Sequence, residues 1–301
     1  MTKLLKLRTR AWLLVVLVLF SAILTGCGAK KTKYSATFMD LFDTVTVVTG
    51  YAGSEEAFQK EKEKIYDELK RYHQLYDIYN EYEGMTNICT INAHPGETLE
   101  ADRAIIDLLL LAKEAEEFSG GKTDASMGSV LSIWHKVREA GIENPEKAVL
   151  PEEEALREAA EHTGFDKVEI DAEALTVRIT DPETRLDVGS VAKGYAVQKV
   201  GEKLDSGYLI TVGGNVYATG PKEDGSAWVV GIQDPDGPGY LHKIALNKGA
   251  VVTSGDYQRY YTVNGKNYHH IIDPDTLYPA ELWRAVTVVV SDSGLADALS
   301  T

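Results

Sequence analysis

Cysteine is almost missing from this chain. Only Cys27 and Cys89 occur among 301 residues, which excludes a disulfide-stapled mini-domain and a Cys-rich zinc site by count. A surplus of positive charge is missing too. The chain has 31 Lys and Arg against 46 Asp and Glu, a net charge of −15. Recognition of a nucleic-acid backbone needs clustered bases, so no nucleic-acid partner is expected. No G-x-G-x-x-G follows a strand-like run, which argues against a Rossmann dinucleotide site. Neither a repeat of solenoid length nor a low-complexity linker is present. The remainder is ordinary for a globular protein, with 44% apolar and 26% charged residues. The length suffices to bury a core in one large domain or two small ones.

Residues 1–26 differ from the rest. They carry Lys3, Lys6, Arg8 and Arg10 and no acid. An apolar run of about 13 residues (AWLLVVLVLFSAI) follows, short for a membrane span. The segment ends in Leu24-Thr25-Gly26-Cys27, where small residues before a cysteine fit a bacterial lipoprotein cleavage box. The expectation is a signal peptide over 1–26, Cys27 as the lipidated first mature residue, a tether over 27–35 and one domain over 36–301. A plain membrane anchor with a chance cysteine is the alternative. On the lipoprotein reading the mature chain has 27 bases against 46 acids, a net charge of −19. Several acyl chains would anchor it stably where one binds only marginally. The expected location is the extracytoplasmic face of the cell membrane, and Cys89 is left without an intramolecular partner.

The body begins with TVTVVTGYA (44–52), whose alternation and β-branched residues predict a strand. Ser54 then caps a long helix with Phe58, Ile65, Leu69, Tyr72 and Tyr76 at mostly three- and four-residue spacing. Residues 79–96 read as a loop. Helices are predicted over 101–118, 126–138, 151–164 and 189–205, and a hairpin over 166–180. Short strands are predicted at 207–219, 227–233, 240–247, 249–254 and 258–263, with a strand and turn over 285–294 and a last helix from 294. Helices early and strands late predict an α+β domain with antiparallel sheet rather than a doubly wound parallel sheet.

Four stretches carry residue types suited to chemistry. In Leu186-Asp187-Val188-Gly189-Ser190-Val191-Ala192-Lys193 a strand end delivers an aspartate, and a Gly-Ser opening starts a helix beside a lysine. Free backbone N–H groups there attract anions; a plain capped helix with an exposed lysine is the alternative. His269-His270-Ile271-Ile272-Asp273-Pro274 places imidazole and carboxylate together, suited to proton transfer or simply to a strand entering an Asp-Pro turn. Asp297 and Thr301 are four residues apart and share a helix face. Their carboxylate and hydroxyl are hard oxygen donors suited to Mg²⁺, or Asp297 is an ordinary first-turn aspartate. Gly213-Gly214 reads as a close backbone approach to a ligand or as a hairpin turn. Among the early tyrosines, Tyr79 at a helix end is the best stacking candidate.

In this order, LDVGSVAKGYAV, ITVGGNVYATG, HHIIDP and VVVSDSGLADALST resemble the signatures of the ApbE family, the FAD:protein FMN transferases. Upstream, LFDTVTVVTGYA resembles the family's first strand and YDIYNEYEGMTNICTIN its tyrosine-containing loop. GGKTDASMGSVLSIW resembles the segment usually written G-x-F-D with a downstream Trp. The resemblance runs from about residue 36 to the last residue. It implies an ApbE-like (T-fold-like) α+β domain with antiparallel sheets and packed helices. It also implies a chemistry in which FMN passes from FAD to a threonine hydroxyl of an acceptor flavoprotein and AMP leaves. On the resemblance, Mg²⁺ is held by Asp297, Thr301 and the main-chain carbonyl of Ser190, and His270 takes the acceptor proton. FAD is met by Phe42, Tyr79, Lys122, Thr123, Asp124, Asp187, Lys193 and Ile272. Implied acceptors are subunits of Rnf-type or Na⁺-translocating NADH:quinone oxidoreductase complexes, or secreted flavoproteins.

Departures from the family pattern are also visible. Phe42 stands where a Met is common, with Met39 three residues earlier, and Thr123 replaces the usual Phe. Relatives continue past the Asp-Ala-x-x-Thr stretch, so a shortened C-terminus is expected. Competing readings are an FAD pyrophosphatase giving FMN and AMP, a non-catalytic FAD-binding lipoprotein, and a two-lobed solute-binding lipoprotein, against which the helix-then-strand order speaks.

Overall fold

The computed structural model describes residues 31–301. The expected signal segment and Cys27 lie outside the described residues. The first strand, β1 (Thr32–Leu41), pairs antiparallel with β2 (Thr44–Ala52) from Thr32 onward. Thr32–Ser35, which the sequence reading leaves in the tether, therefore already belong to the sheet. In β2 the buried positions are Thr46, Val48, Gly50 and Ala52, the period of two that the alternating sequence demands.

Helix α1 (Glu55–Tyr76) follows. Ser54 caps it by accepting the Ala57 N–H, and Phe58, Ile65, Leu69, Tyr72, Leu75 and Tyr76 form its buried stripe. The expected loop at 79–96 contains a short helix, α2 (Ile88–Ala93), capped by Asn87. Six residues are too few to show a 3.6-residue period, so the sequence gives no sign of it. After β3 (Leu99–Glu100) come α3 (Arg103–Ser119), closed by Gly120 in the left-handed region, and α4 (Gly128–Glu143). Helix α4 runs five residues past its predicted end, stopping before Asn144-Pro145. Then follow α5 (Glu153–Ala160), the predicted hairpin β4 (Val168–Asp171) with β5 (Thr176–Ile179), and α6 (Ala192–Glu202).

The late strands are β6 (Tyr208–Val212), β7 (Asn215–Ala218), β8 (Trp228–Gln233), β9 (Tyr240–Leu246), β10 (Gly249–Gly255), β11 (Tyr260–Val263), β12 (Lys266–His269) and β13 (Ala285–Val290). Helix α7 (Ser293–Ser300) comes last. The main sheet has the order β1-β2-β6-β7-β10-β13, antiparallel at every pairing. This is the α+β architecture with antiparallel sheet that the element order predicts. Helices α1, α6 and α7 lie side by side over successive strand pairs of one face. Strand β10 shows how the two faces are served: Ala250 and Val252 enter the main core, while Val251 points to the other side, under the β8–β9 hairpin with Trp228, Val230 and Ile232. A separate apolar cluster joins α4, α5 and the β11–β12 hairpin through Trp134, Leu156, Tyr261 and Ile272. Among the described residues, no helix is long and apolar enough to cross a membrane.

Helices α6 and α7 meet at Gly194. A Cβ there would overlap the Ser293 carbonyl oxygen and stand 2.7 Å from Asp297 Cβ. Gly194→Ala is expected to cost about 1–3 kcal/mol or somewhat more, read as a Tm several degrees lower in thermal denaturation. An unchanged Tm would show that the helix pair has slack.

Candidate active site

Four backbone segments converge where α6, α7 and the main sheet meet the α4–β11–β12 cluster. The first is the α6–α7 contact. The missing side chain of Gly194 exposes its N–H, which donates to Asp297 Oδ2 at 2.8 Å. Asp297 is 1% exposed. Lys193 Nζ lies 3.5 Å from the same carboxylate oxygen and donates to the Gly189 carbonyl at 2.7 Å. Burial pushes the Asp297 carboxyl up from its ordinary value; Lys193, the Gly194 N–H and the Asn215 amide pull it back. Asn215 Oδ1 beside it is buried and has no hydrogen-bond partner in the structure. The Thr301 hydroxyl, one turn beyond Asp297, donates to the Asp297 main-chain carbonyl at 3.0 Å and lies 3.3 Å from Ser254 Oγ. Ser190 sits in the turn entering α6, three residues before Lys193. Asp187, just upstream, accepts the Gly189 N–H at 2.9 Å and so shapes that turn.

The second segment is the β12 end. His270 Nδ1 faces the Arg259 carbonyl at 3.3 Å. A carbonyl only accepts, so Nδ1 carries the proton and Nε2 keeps its lone pair. Burial, then the cationic Arg259 and Arg138, push the His270 pKa down to about 3. The imidazole is therefore neutral throughout the physiological range. Ile272, two residues on, is buried in the Trp134 cluster.

The third is the loop after α1. Asp77 accepts hydrogen bonds from the Tyr79 and Asn80 main chain, the Asn80 amide and the Tyr82 hydroxyl. Burial pushes its carboxyl up, but these bonds outweigh it and hold the group below its ordinary value. The loop presents Tyr79, 56% exposed, with its hydroxyl 2.7 Å from His135 Nδ1. Burial and the nearby Asp187 push the Tyr79 hydroxyl up to about 12.

The fourth is the β1–β2 turn. Phe42 and Asp43 both have positive φ, 55° and 49°, a conformation uncommon outside Gly, Asn and Asp. The turn is tied down at both residues: the Phe42 N–H donates to His73 Nδ1 at 3.3 Å, and Arg259 Nη2 donates to the Asp43 carbonyl at 2.9 Å. The Phe42 ring packs edge-on against His73, whereas Met39 is 77% exposed.

The remaining expected residues make contacts within the chain. Lys122 pairs with Asp273 at 3.0 Å and Asp275 at 2.6 Å on the surface. The Thr123 hydroxyl is buried and donates to the Ala298 carbonyl at 2.8 Å, locking the end of α3 to α7. Asp124 accepts the Ser126 N–H and hydroxyl ahead of α4. Of the two readings of Gly213-Gly214 the hairpin turn is the one seen, and the close backbone approach is to the neighbouring strand β10. The pair forms the β6–β7 turn, and a side chain on Gly214 would overlap the Thr253 carbonyl oxygen. The sequence reading missed His135, Arg138 and Arg259. The first two are three apart on α4 and share a face, a signal available once Trp134 is placed; nothing in the spacing around Arg259 marks it.

Together these groups offer a buried carboxylate with neighbouring hydroxyl and carbonyl oxygens, a neutral imidazole, and three cations. Among the described residues, no group of three or more His, Cys, Asp or Glu is placed to hold a metal. A cation here would need mixed oxygen donors. The His270 environment also has a consequence for stability. The unfolded imidazole takes up its proton near its ordinary 6.5 and the folded one only near 3. Its contribution is complete above pH 6.5 and is lost as pH falls toward 3. His270→Gln is expected to flatten the acid-side decline of stability, measured as urea midpoints stepped down from pH 6.5 to about 4; an unchanged slope would refute a buried neutral His270.

The ApbE family model matches residues 33–301. The FAD:protein FMN transferase of Haemophilus influenzae is 33% identical over 220 residues, covering 70% of this chain and 62% of its own length. That of Treponema pallidum is 33% identical over 236 residues, covering 71% and 63%. The chain thus spans a little under two thirds of the length of these two relatives. The crystal structure of the ApbE protein of Thermotoga maritima matches with a TM-score of 0.78 and 32% identity, over 89% of this chain and 85% of that one. The family match over nearly the whole described chain and the agreement in fold lead to one conclusion: this chain belongs to the ApbE family.

Proposed function

We propose that this chain is a lipid-anchored, Mg²⁺-dependent FAD:protein FMN transferase acting on the extracytoplasmic side of the membrane. Asp297 supports this reading most directly: a buried carboxylate shares one corner with Lys193 and Thr301, in the same cleft as a neutral histidine. The donor set fits Mg²⁺, since a carboxylate, a hydroxyl and a main-chain carbonyl are hard oxygen ligands and the orphaned Asn215 Oδ1 adds a buried oxygen nearby. Asp297, Thr301 and the Ser190 carbonyl would hold the ion. When bound, the ion neutralises phosphate charge.

The chain's own groups account for the other requirements. Lys193 and the opening of α6 attract the pyrophosphate of FAD. Phe42 and Tyr79 offer ring surfaces to its planar parts. His270, with Nδ1–H directed to the Arg259 carbonyl, accepts the acceptor threonine's hydroxyl proton at Nε2. The threonine oxygen bonds to the FMN phosphorus as the pyrophosphate P–O bond breaks, and AMP leaves with the bridging oxygen. A bound polyanion raises the low His270 pKa toward the range where a base is effective. Lys122 and Thr123 enter this scheme as supports of the cleft wall. The acceptors are flavoprotein subunits of membrane redox complexes, such as those of Rnf or Na⁺-translocating NADH:quinone oxidoreductase type, or secreted flavoproteins.

The deciding experiment mixes the purified protein with FAD, Mg²⁺ and an acceptor domain, and looks for flavin fluorescence on the acceptor after denaturing electrophoresis. Free FMN and AMP with an unlabelled acceptor would make the chain a pyrophosphatase instead. FAD binding without AMP release would sink both enzyme readings. Asp297→Asn is expected to abolish Mg²⁺-dependent AMP release, and turnover at the wild-type rate would remove Asp297 as a ligand. His270→Ala is expected to slow transfer by roughly 10²–10⁴-fold with FAD affinity nearly unchanged; a normal rate would eliminate it as the base.

A further inference from the structure

Two guanidinium groups act on His270, and among the described residues neither has a carboxylate within ion-pair distance. Arg138 is three residues along α4 from His135, so both side chains leave the same helix face. That face meets Tyr79, whose hydroxyl is bonded to His135. Arg138 is only partly exposed, and among the described residues it makes neither an ion pair nor a hydrogen bond. Arg259 donates to the main-chain carbonyl of Asp43 at 2.9 Å, which leaves its charge uncancelled. The contrast with the other described arginines is clear. Arg71, Arg103, Arg157, Arg178 and Arg284 all pair with carboxylates, and Arg185 donates to the carbonyls of Pro182 and Thr184. Asp187 and Glu139 lie within electrostatic reach of Arg138, but neither comes within ion-pair distance.

A partly buried guanidinium beside a second, exposed one costs free energy that a bridging anion relieves; Arg138 is the partly buried member and Arg259 the exposed one. Burial and the neighbouring Arg259 both push the Arg138 guanidinium below its ordinary value, as expected for a cation lacking its counter-charge. Guanidinium forks match phosphate oxygens in pairs. We infer that Arg138 and Arg259 form an anion subsite beside His270, additional to the Asp297–Lys193 corner, that grips a phosphate of the dinucleotide substrate. The inference rests on the reading of the cleft as an FAD site, and it assigns to that site a second set of phosphate contacts. Arg259 has a further duty in the Phe42–Asp43 turn, so Arg138 is the cleaner probe.

The test compares wild type, Arg138→Gln and Arg138→Lys in three binding titrations: FAD with Mg²⁺, riboflavin, and inorganic pyrophosphate without added metal. Flavin fluorescence reports the first two and calorimetry the third. Arg138→Gln is expected to weaken FAD and pyrophosphate by roughly 10- to 100-fold, the value of hydrogen bonds to a charged group. Arg138→Lys should fall between, because it keeps the charge and loses the fork. Riboflavin, which has no phosphate, should bind all three proteins alike. Equal losses for FAD and riboflavin would make Arg138 a structural residue and overturn the subsite. Wild-type affinity for FAD and pyrophosphate in Arg138→Gln, with only the KM for the acceptor protein raised, would assign the arginines to an acidic group of the acceptor and also overturn it. Pyrophosphate bound by wild type and lost in Arg138→Gln, with no FAD bound by either, would uphold the anion subsite and refute the flavin reading. Wild type binding neither ligand would refute both.

Discussion

Everything around the cleft depends on one short contact, the hydrogen bond from the Gly194 N–H to the buried Asp297 carboxylate. A carboxylate at such depth is unfavourable unless donors meet it. Besides the Asn215 amide, the donors come from α6, which approaches α7 closely because residue 194 has no side chain. That approach fixes several things at once. It lays α6 and α7 over adjacent strands of the main sheet. It brings Lys193 against Asp297. It also lets Thr123, at the end of α3, reach the α7 backbone. The packing of the domain and the electrostatics of the cleft are therefore set by the same pair of helices.

The cleft joins two apolar bodies. The main core beneath the six-stranded sheet supplies Asp297, Lys193 and the Phe42 turn. The smaller cluster around Trp134 supplies His135, Arg138 and His270. Arg259 spans the gap between them. Its side chain holds the β1–β2 turn, and its main-chain carbonyl orients the His270 ring. A residue contributing side chain to one body and backbone to the other coordinates their spacing without itself belonging to either core.

Much of this was legible in the chain. The alternation in 44–52, the Ser54 cap and the apolar spacing after it report local preferences strong enough to survive in the fold. The Asp297–Thr301 spacing likewise places both groups on one helical turn, because four residues in a helix mean adjacency. What escaped was made by tertiary contact. Helix α2 is too short to carry a period, and its cap at Asn87 works through contacts to Gln74 and Asn80 that only the folded loop provides. Lys122 and Thr123 also make contacts that their residue types do not announce, to Asp273, Asp275 and the Ala298 carbonyl, more than 140 residues away in sequence. The spacing could place Arg138 on the His135 face of its helix, but that neither Arg138 nor Arg259 has a carboxylate partner was invisible, because the absence of a partner is a property of three dimensions.

The β1–β2 turn shows what the cleft demands of its scaffold. A two-residue hairpin with both φ values positive is met most cheaply by Asn-Gly or Asp-Gly, and this chain places Phe42-Asp43 there. Replacing the pair by Asn-Gly would relax the backbone and at the same time delete the ring at the cleft wall. Screens that select only for thermal tolerance would therefore drift toward a sturdier hairpin and a cleft wall without its ring, a conflict between robustness and the shape of the site written into two adjacent positions.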